Sequence, residues 1–306
     1  MSEDAPADEK LVGQDRSGDG SDAGFDRLLQ HLRTTRGFDF TGYKTSSLTR
    51  RIRKRMETVR STTFDAYRRY LEATPDEFGE LFNTILINVT SFFRDPDTWS
   101  RLNDTVIPQV AGEPGSDDPV RVWVAGCATG EEAFTIAILL CEALGDDAFR
   151  RRVKIYATDV DQEAITDARH GRYPKRRVTE DVPAELVDRY FEPDGAYLMF
   201  RKDLRRTVIF GHHDLVQDPP ISRIDLLSCR NTLMYFNHPA QARILANLRF
   251  ALRPHGYLLL GQSEALASRN HDFTPVDLKS RIFRRTPTRR ERAVSDDPRP
   301  APPTPP

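Results

Sequence analysis

Four short stretches hold the polar residues best able to act on a ligand. The first is Trp123-Val124-Ala125-Gly126-Cys127-Ala128-Thr129-Gly130-Glu131-Glu132, an apolar run entering a turn with glycines four apart. A helix start follows at once. In an open α/β sheet, ligands bind at the carboxyl ends of strands, where glycine lets the backbone come close. The turn is not G-x-G-x-x-G and lacks the lysine of a phosphate loop. Two consecutive glutamates would repel a pyrophosphate, yet they suit a cationic ligand such as the sulfonium and amino group of S-adenosylmethionine. They equally suit an ordinary tight turn, as acidic residues at the positive end of a helix.

The second stretch, Ala157-Thr158-Asp159-Val160-Asp161, closes another apolar run. An acidic residue at that place commonly binds the two hydroxyls of a ribose. Asp159 is the ligand candidate, and Asp161 reads as the N-cap of the next helix. In the third, Ile224-Asp225-Leu226-Leu227-Ser228 leads into Cys229-Arg230-Asn231-Thr232-Leu233-Met234-Tyr235-Phe236. Arg230 and Asn231 would face the same crevice as Gly126, although an asparagine there also fits a turn or cap. The fourth, Asn88-Val89-Thr90-Ser91-Phe92-Phe93-Arg94, reads by itself as a loop with two core phenylalanines. His212 and His213 have no identifiable partner and read as structural.

The elements that must carry these stretches change character along the chain. From Phe25 to Val106 the pattern is helical, with Leu48, Ile52, Met56 and Val59 forming one apolar stripe. Arg50, Arg51, Arg53, Lys54 and Arg55 occupy the remaining faces of that helix. Asp95 before Pro96 predicts a helix start, an N-cap with proline in the first turn. After the loop Ala111–Pro119, strands alternate with helices: strands at Val120–Ala125, Val153–Thr158, Val208–Phe210, Ile224–Ser228 and Tyr257–Leu260, helices at Glu132–Leu144, Asp161–Arg169 and Pro239–Leu252. Alternation of this kind predicts a parallel sheet covered on both faces. An insert near Pro183–Arg206 interrupts it, with a hairpin expected at Ala196–Arg201.

The expected organisation is a disordered acidic segment over 1–22 and a helical domain over 23–107. A sheet domain over 108–285 follows, with its β-insert at about 183–206, then a disordered Pro/Arg-rich tail over 286–306. Residues 1–22 hold seven acidic and two basic side chains and little to bury. Residues 27–70 hold twelve basic against three acidic ones, within a chain of net charge -1. No stretch has the apolar length that spans a bilayer, so membrane insertion is not expected. The N-terminus lacks the apolar core of a secretory signal. Three cysteines, never close in sequence, speak against a disulfide framework and a zinc knuckle, and a reducing cytoplasmic compartment is expected.

Taken together, Asn88–Arg94, the Gly126–Glu132 turn, Ala157–Asp161 and Cys229–Phe236 resemble the CheR family of chemotaxis methyltransferases in order and spacing. Gly261-Gln262-Ser263-Glu264 looks like that family's closing motif. The resemblance covers nearly all of residues 25–285. It implies an α/β, class I (Rossmann-like) adenosylmethionine-dependent methyltransferase domain with a small β-subdomain, preceded by a small all-α domain. It implies S-adenosylmethionine as cofactor and glutamate side chains of a chemoreceptor as substrate; no metal site is expected. By the same resemblance Asn88, Thr90 and Arg94 close over the methionine end of the cofactor, Glu132 binds its amino group, and Asp159 its ribose. Asp214 and Leu215 flank the adenine, where the family often has Asn in place of Asp214. Arg230 and Asn231 complete the cofactor set, and Tyr235 lies near the transferred methyl. Arg94 and Tyr235 are the expected catalytic pair.

A glutamate side chain has an ordinary pKa of about 4.3, so its methylation needs no general base. This fits motifs without a catalytic His or Lys. Methylated receptor segments are acidic helices, and Arg50, Arg51, Arg53, Lys54 and Arg55 would steer them. A solvated charged face and a nucleic-acid footprint are the other readings of that helix. A nucleic-acid methyltransferase would need a base-holding Asn-Pro-Pro-Tyr motif. Asp218-Pro219-Pro220-Ile221 resembles it only superficially and precedes the fourth strand. A non-catalytic adaptor is the other rival. Some family members hold a receptor's C-terminal peptide through a glycine-rich loop of the β-subdomain. Here Phe191–Tyr197 is short and keeps one glycine, so independence from such a peptide is expected, with the helical domain recognising the receptor's helical region. A monomer that does not bind nucleic acid is expected.

Overall fold

The computed structural model describes residues 18–264, 266 and 272–288. The chain divides into two compact units, Met1–Ile85 and Leu86–Pro306. The tail expected to be disordered lies almost wholly outside the described residues, as does the acidic segment up to residue 17. Gly18 to Asp22 of that segment belong instead to the first helix, Gly18–Arg36.

The first unit is helical, with further helices at Thr45–Thr58, Phe64–Ala73 and Glu77–Ile85. The stripe read from the sequence forms the buried side of the second helix: Leu48, Ile52 and Met56 are buried, while Val59 caps its end. Ile52 is fully enclosed, so truncating it to Ala would cost about 2–5 kcal/mol. Thr63 caps the third helix by accepting from the Ala66 amide, which sets where that helix begins.

The second unit is built on a sheet. Its first strands are β1 (Val120–Ala125) and β2 (Val153–Asp159). A short β3 (Arg172–Pro174) pairs away from the main sheet, with β4 (Phe191–Asp194) and β5 (Tyr197–Phe200). Next come β6 (Val208–His212), β7 (Ile224–Cys229) and β8 (Leu252–Leu260). The last two, β9 (Phe273–Asp277) and β10 (Ile282–Arg285), were not anticipated from sequence. The main sheet runs β6-β2-β1-β7-β8-β10-β9. Its β6 to β8 part is parallel, while β10 is antiparallel to both of its neighbours. From β1 the chain moves outward to β2 and β6, then returns to β7 on the other side. The crevice at the carboxyl ends of β1 and β7 is therefore the topological switch point, where open α/β sheets bind ligands.

Four expectations need correction. The helix Pro96–Thr105, assigned from sequence to the helical domain, packs in the second unit, as does the short helix Ile107–Ala111. Their Trp99, Leu102, Val106 and Ile107 join the same core as Val122, Val124 and Ile155. Asp95 stands at the N-cap position before Pro96 as expected, but its backbone is left-handed (φ 62) and its side chain makes no cap bond. The β-insert begins at Arg172 rather than near Pro183, because β3 forms the edge of a three-stranded sheet of order β3-β5-β4. The hairpin expected at Ala196–Arg201 lies earlier: Tyr197–Phe200 is a single strand, β5, paired with β4 through a turn at Gly195 and Ala196.

Candidate active site

The glycine turn sits where the fold places a ligand. Gly126 has φ 77, and a Cβ there would lie 2.3 Å from the Thr232 Oγ1 of the loop after β7. Only glycine lets these two loops approach so closely. The helix Glu131–Leu144 starts immediately, with Glu131 and Glu132 in its first turn.

The two glutamates have different fates. Glu131 is fully buried and 2.7 Å from Arg177 of the β-insert, while Thr129 Oγ1 donates to it at 2.7 Å. Burial pushes its carboxyl up, against the pull of Arg177. Glu132 turns toward β7 instead. Ser228 Oγ donates to Glu132 Oε1 at 2.6 Å and Arg230 donates to Oε2 at 3.0 Å. Each oxygen keeps a second lone pair for a further donor. Sequence reasoning missed Ser228, because a serine inside an apolar strand gives no signal until its neighbour across the crevice is known.

Arg230 is expected from sequence to line the crevice, and the structure uses its guanidinium as a tie. The side chain is 1% exposed and donates to Asp95 at 2.7 Å and to the Arg94 carbonyl at 2.9 Å, besides Glu132. It lies over the Trp99 ring, 5.0 Å from the centroid. This explains the left-handed Asp95, whose carboxylate serves Arg230 rather than the helix start.

Asp159 ends β2 and points its carboxylate at the glycine turn. It accepts from the Ala128 amide at 2.8 Å and the Asp161 amide at 3.0 Å, leaving one lone pair on each oxygen. Burial pushes this carboxyl above the ordinary aspartate range. Asp161 caps its helix as expected, accepting from the Glu163 and Ala164 amides. Its other oxygen accepts from Asn88 Nδ2 at 2.6 Å.

That bond is the first of several that lay residues 88–94 across the second unit. Arg177 donates to the Thr90 carbonyl, Thr135 Oγ1 accepts from the Phe93 amide at 3.2 Å, and Arg94 donates to the Val89 carbonyl at 2.9 Å. Arg177 was not singled out from sequence. One arginine among several in the insert became legible only when it proved to bridge Glu131 and Thr90.

Beyond β6, Asp214 folds its loop: its Oδ1 accepts from the Val216 amide at 2.8 Å, and its own amide donates to Asp218 at 2.8 Å. Leu215 is buried beside it. His213 donates its amide to the Asp159 carbonyl, and its ring packs edge-on to Trp123. Asn231 takes a left-handed φ of 55, and Tyr235 closes the short 3-10 turn Leu233–Tyr235. The three cysteines are buried and free.

In the other unit, the five basic residues do not form one face. Arg50, Arg53 and Lys54 are exposed. Arg55 is tied to Glu77 at 2.7 Å and Glu80 at 3.2 Å, and Glu77 also accepts from Tyr67 at 2.6 Å. Arg51 donates to the Ile85 carbonyl. The sequence expectation for Arg51 and Arg55 as docking residues is therefore corrected: the chain uses both inside its own helical packing.

With this geometry in view, two families of sequence match. Residues 88–282 match the CheR methyltransferase SAM-binding domain, and residues 23–86 the CheR methyltransferase all-alpha domain. The chain belongs to the CheR methyltransferase family. Chemotaxis protein methyltransferase 2 of Pseudomonas aeruginosa is 32% identical over 253 residues, covering 81% of this chain and 88% of that protein. The chemotaxis protein methyltransferase of Escherichia coli is 30% identical over 262 residues, 83% of this chain and 88% of its own. An uncharacterised 104.1 kDa protein of Rhodobacter capsulatus is 37% identical over 257 residues, which are 84% of this chain and 27% of that protein.

S-adenosylmethionine is accordingly the cofactor of this CheR-family protein, and the residues present fit it. Asp159 offers paired acceptor sites for a diol, and Glu132 offers an acceptor for an ammonium. The pinched Gly126 turn lies between β1 and β7. The bound cofactor supplies a methyl group made electrophilic by a sulfonium. The expected all-α domain, followed by a mostly parallel α/β sheet domain, is the observed architecture. Among the described residues no helix is long and apolar enough to cross a membrane.

Proposed function

We propose that this protein transfers the methyl group of S-adenosylmethionine to glutamate carboxylates on the cytoplasmic helical region of a chemoreceptor, forming methyl esters. The observation that carries this reading is the pairing of Asp159 and Glu132 in the second unit. One carboxylate suits a ribose diol and the other an ammonium, with Arg94 and Tyr235 on neighbouring loops as donors for an anionic substrate.

A carboxylate nucleophile is already ionised near neutral pH, so no residue has to remove a proton from it. The chain's task is alignment and exclusion of water. Holding the reactants in line can account for about 7–11 kcal/mol of barrier lowering in the best cases. Asn88, Thr90 and Arg94 sit on the segment tethered to Asp161, Arg177 and Val89, which suits them to cover the methionine end. Asp214 and Leu215 shape the loop beside the adenine, and Asn231 follows the end of β7. Arg94 and Tyr235 orient the carboxylate by donating hydrogen bonds. Arg50, Arg53 and Lys54 give the helical unit a cationic face for an acidic helix.

The test is transfer of radiolabelled methyl from S-adenosylmethionine to membranes carrying chemoreceptors, followed by mild alkali. Label released as a volatile product supports a carboxyl methyl ester. Alkali-stable label, or label found only in RNA, overturns the reading.

A further inference from the structure

The motif Gly261-Gln262-Ser263-Glu264 takes no part in the scheme above, yet it ends in a buried charge. Glu264 is 4% exposed. Its Oε1 accepts from the amides of Thr232 at 2.7 Å and Leu233 at 2.6 Å. Its Oε2 accepts from the amides of Asn231 at 3.0 Å and Gly261 at 2.7 Å. Three consecutive amides, with a fourth from the end of β8, form the kind of concave nest that binds anions. Here the chain fills the nest with its own carboxylate.

The nest belongs to the loop that carries the site. Arg230, directly before it, holds Glu132. Thr232 stands against Gly126, and Tyr235 ends the 3-10 turn three residues on. Asn231 takes the left-handed region, which asparagine tolerates better than most residues other than glycine. From the other side, a Cβ on Gly261 would lie 2.8 Å from the Asn231 amide nitrogen and 2.9 Å from Glu264 Oε2. The loop is thus clamped between β8 and the carboxylate, with no room for a larger residue at Gly261.

We propose that Glu264 is a positioning residue for methyl transfer, its carboxylate setting the Asn231–Tyr235 turn so that Tyr235 reaches the reacting groups. This rests on the orienting role given to Tyr235 above. A glutamine cannot substitute, because its amide nitrogen would turn donors toward two of the four N–H groups.

The test is a double-mutant cycle on the full chain, with receptor-containing membranes and saturating cofactor. Tyr235→Phe, Glu264→Gln, the pair, and Gly261→Ala are compared for kcat and for affinity toward the demethylated cofactor. Glu264→Gln and Gly261→Ala should each lower kcat at least about tenfold while changing affinity less, and keep a cooperative unfolding transition. Added to Tyr235→Phe, Glu264→Gln should lower kcat by less than about threefold more, because both act through one group. Losses that multiply in the pair, or a normal kcat in Glu264→Gln, overturn the proposal while leaving Tyr235 in its role. A normal kcat in Tyr235→Phe strikes the role of Tyr235 and the proposal with it. If Glu264→Gln and Gly261→Ala both lose the unfolding transition, Glu264 only maintains the fold and the proposal is overturned.

Discussion

Arg230 Nη1 lies 3.0 Å from Glu132 Oε2, and this contact joins the end of β7 to the helix that opens behind the glycine turn. It is a buried cation holding the carboxylate that would meet a cationic ligand. Glu132 therefore does not wait as a bare anion: Arg230 and Ser228 fix its orientation. A pre-oriented carboxylate loses less entropy on binding than a free one.

Removing that tie should be costly. Arg230→Met leaves the half-buried Glu132 and Asp95 without their cation, and breaking a buried pair from one side costs about 3 kcal/mol or more. For a domain of this size that corresponds to a fall in Tm on the order of 10 °C. Ser228→Ala removes one bond to the same carboxylate and should cost about 1–2 kcal/mol. Thermal unfolding followed by circular dichroism checks both. Equal melting of Arg230→Met and the parent protein contradicts the tie.

Cofactor affinity should depend on pH through Asp159. A diol donates to the ionised carboxylate, so protonation removes the acceptor. Burial raises the Asp159 pKa, so as pH falls the affinity should begin to drop before an ordinary aspartate, with pKa near 3.9, would protonate. Calorimetric titration with the demethylated cofactor over descending pH measures this. Asp159→Asn should bind about tenfold or more weakly at neutral pH and lose that pH dependence, and Glu132→Ala should also bind weakly. Unchanged affinity in both variants contradicts the assignment.

Chemistry and binding should separate at two other residues. Tyr235→Phe and Arg94→Ala should lower turnover at saturating cofactor more than Asp159→Ala does, because orientation acts on the transition state. Full turnover by both variants under saturation would remove them from the catalytic step.

The basic helix yields two distinct outcomes. Charge reversal of Arg50, Arg53 and Lys54 to Glu should abolish receptor methylation, leave cofactor affinity intact, and mimic what high salt does as screening shortens to about 3 Å at 1 M. Arg55→Ala should act on stability instead, since Glu77 is 2% exposed and loses its cation, a change of about 3–5 kcal/mol. Methylation rates and urea unfolding of the two variants distinguish these effects. A stable Arg55→Ala protein with a docking defect would reverse the assignment.

What the sequence alone determined was local: the apolar runs of β1, β2 and β7, the stripe Leu48, Ile52 and Met56, and the cap at Asp161. Each of these depends on spacing within a few residues, and spacing is written in the chain. The glycine turn and Asp159 were legible for the same reason, since both follow directly from a strand. The tertiary structure decided which charges face a ligand and which are consumed by the fold. Glu131 and Glu132 are adjacent and chemically identical, yet one is sealed against Arg177 and the other turned toward Ser228 and Arg230. Arg55 and Lys54 are likewise neighbours, one bound to Glu77 and one in solvent. Such outcomes depend on partners 22 to 98 residues away in sequence, brought close only when the core packs. A buried charge must find its counter-charge or donors there, because water is not available to it.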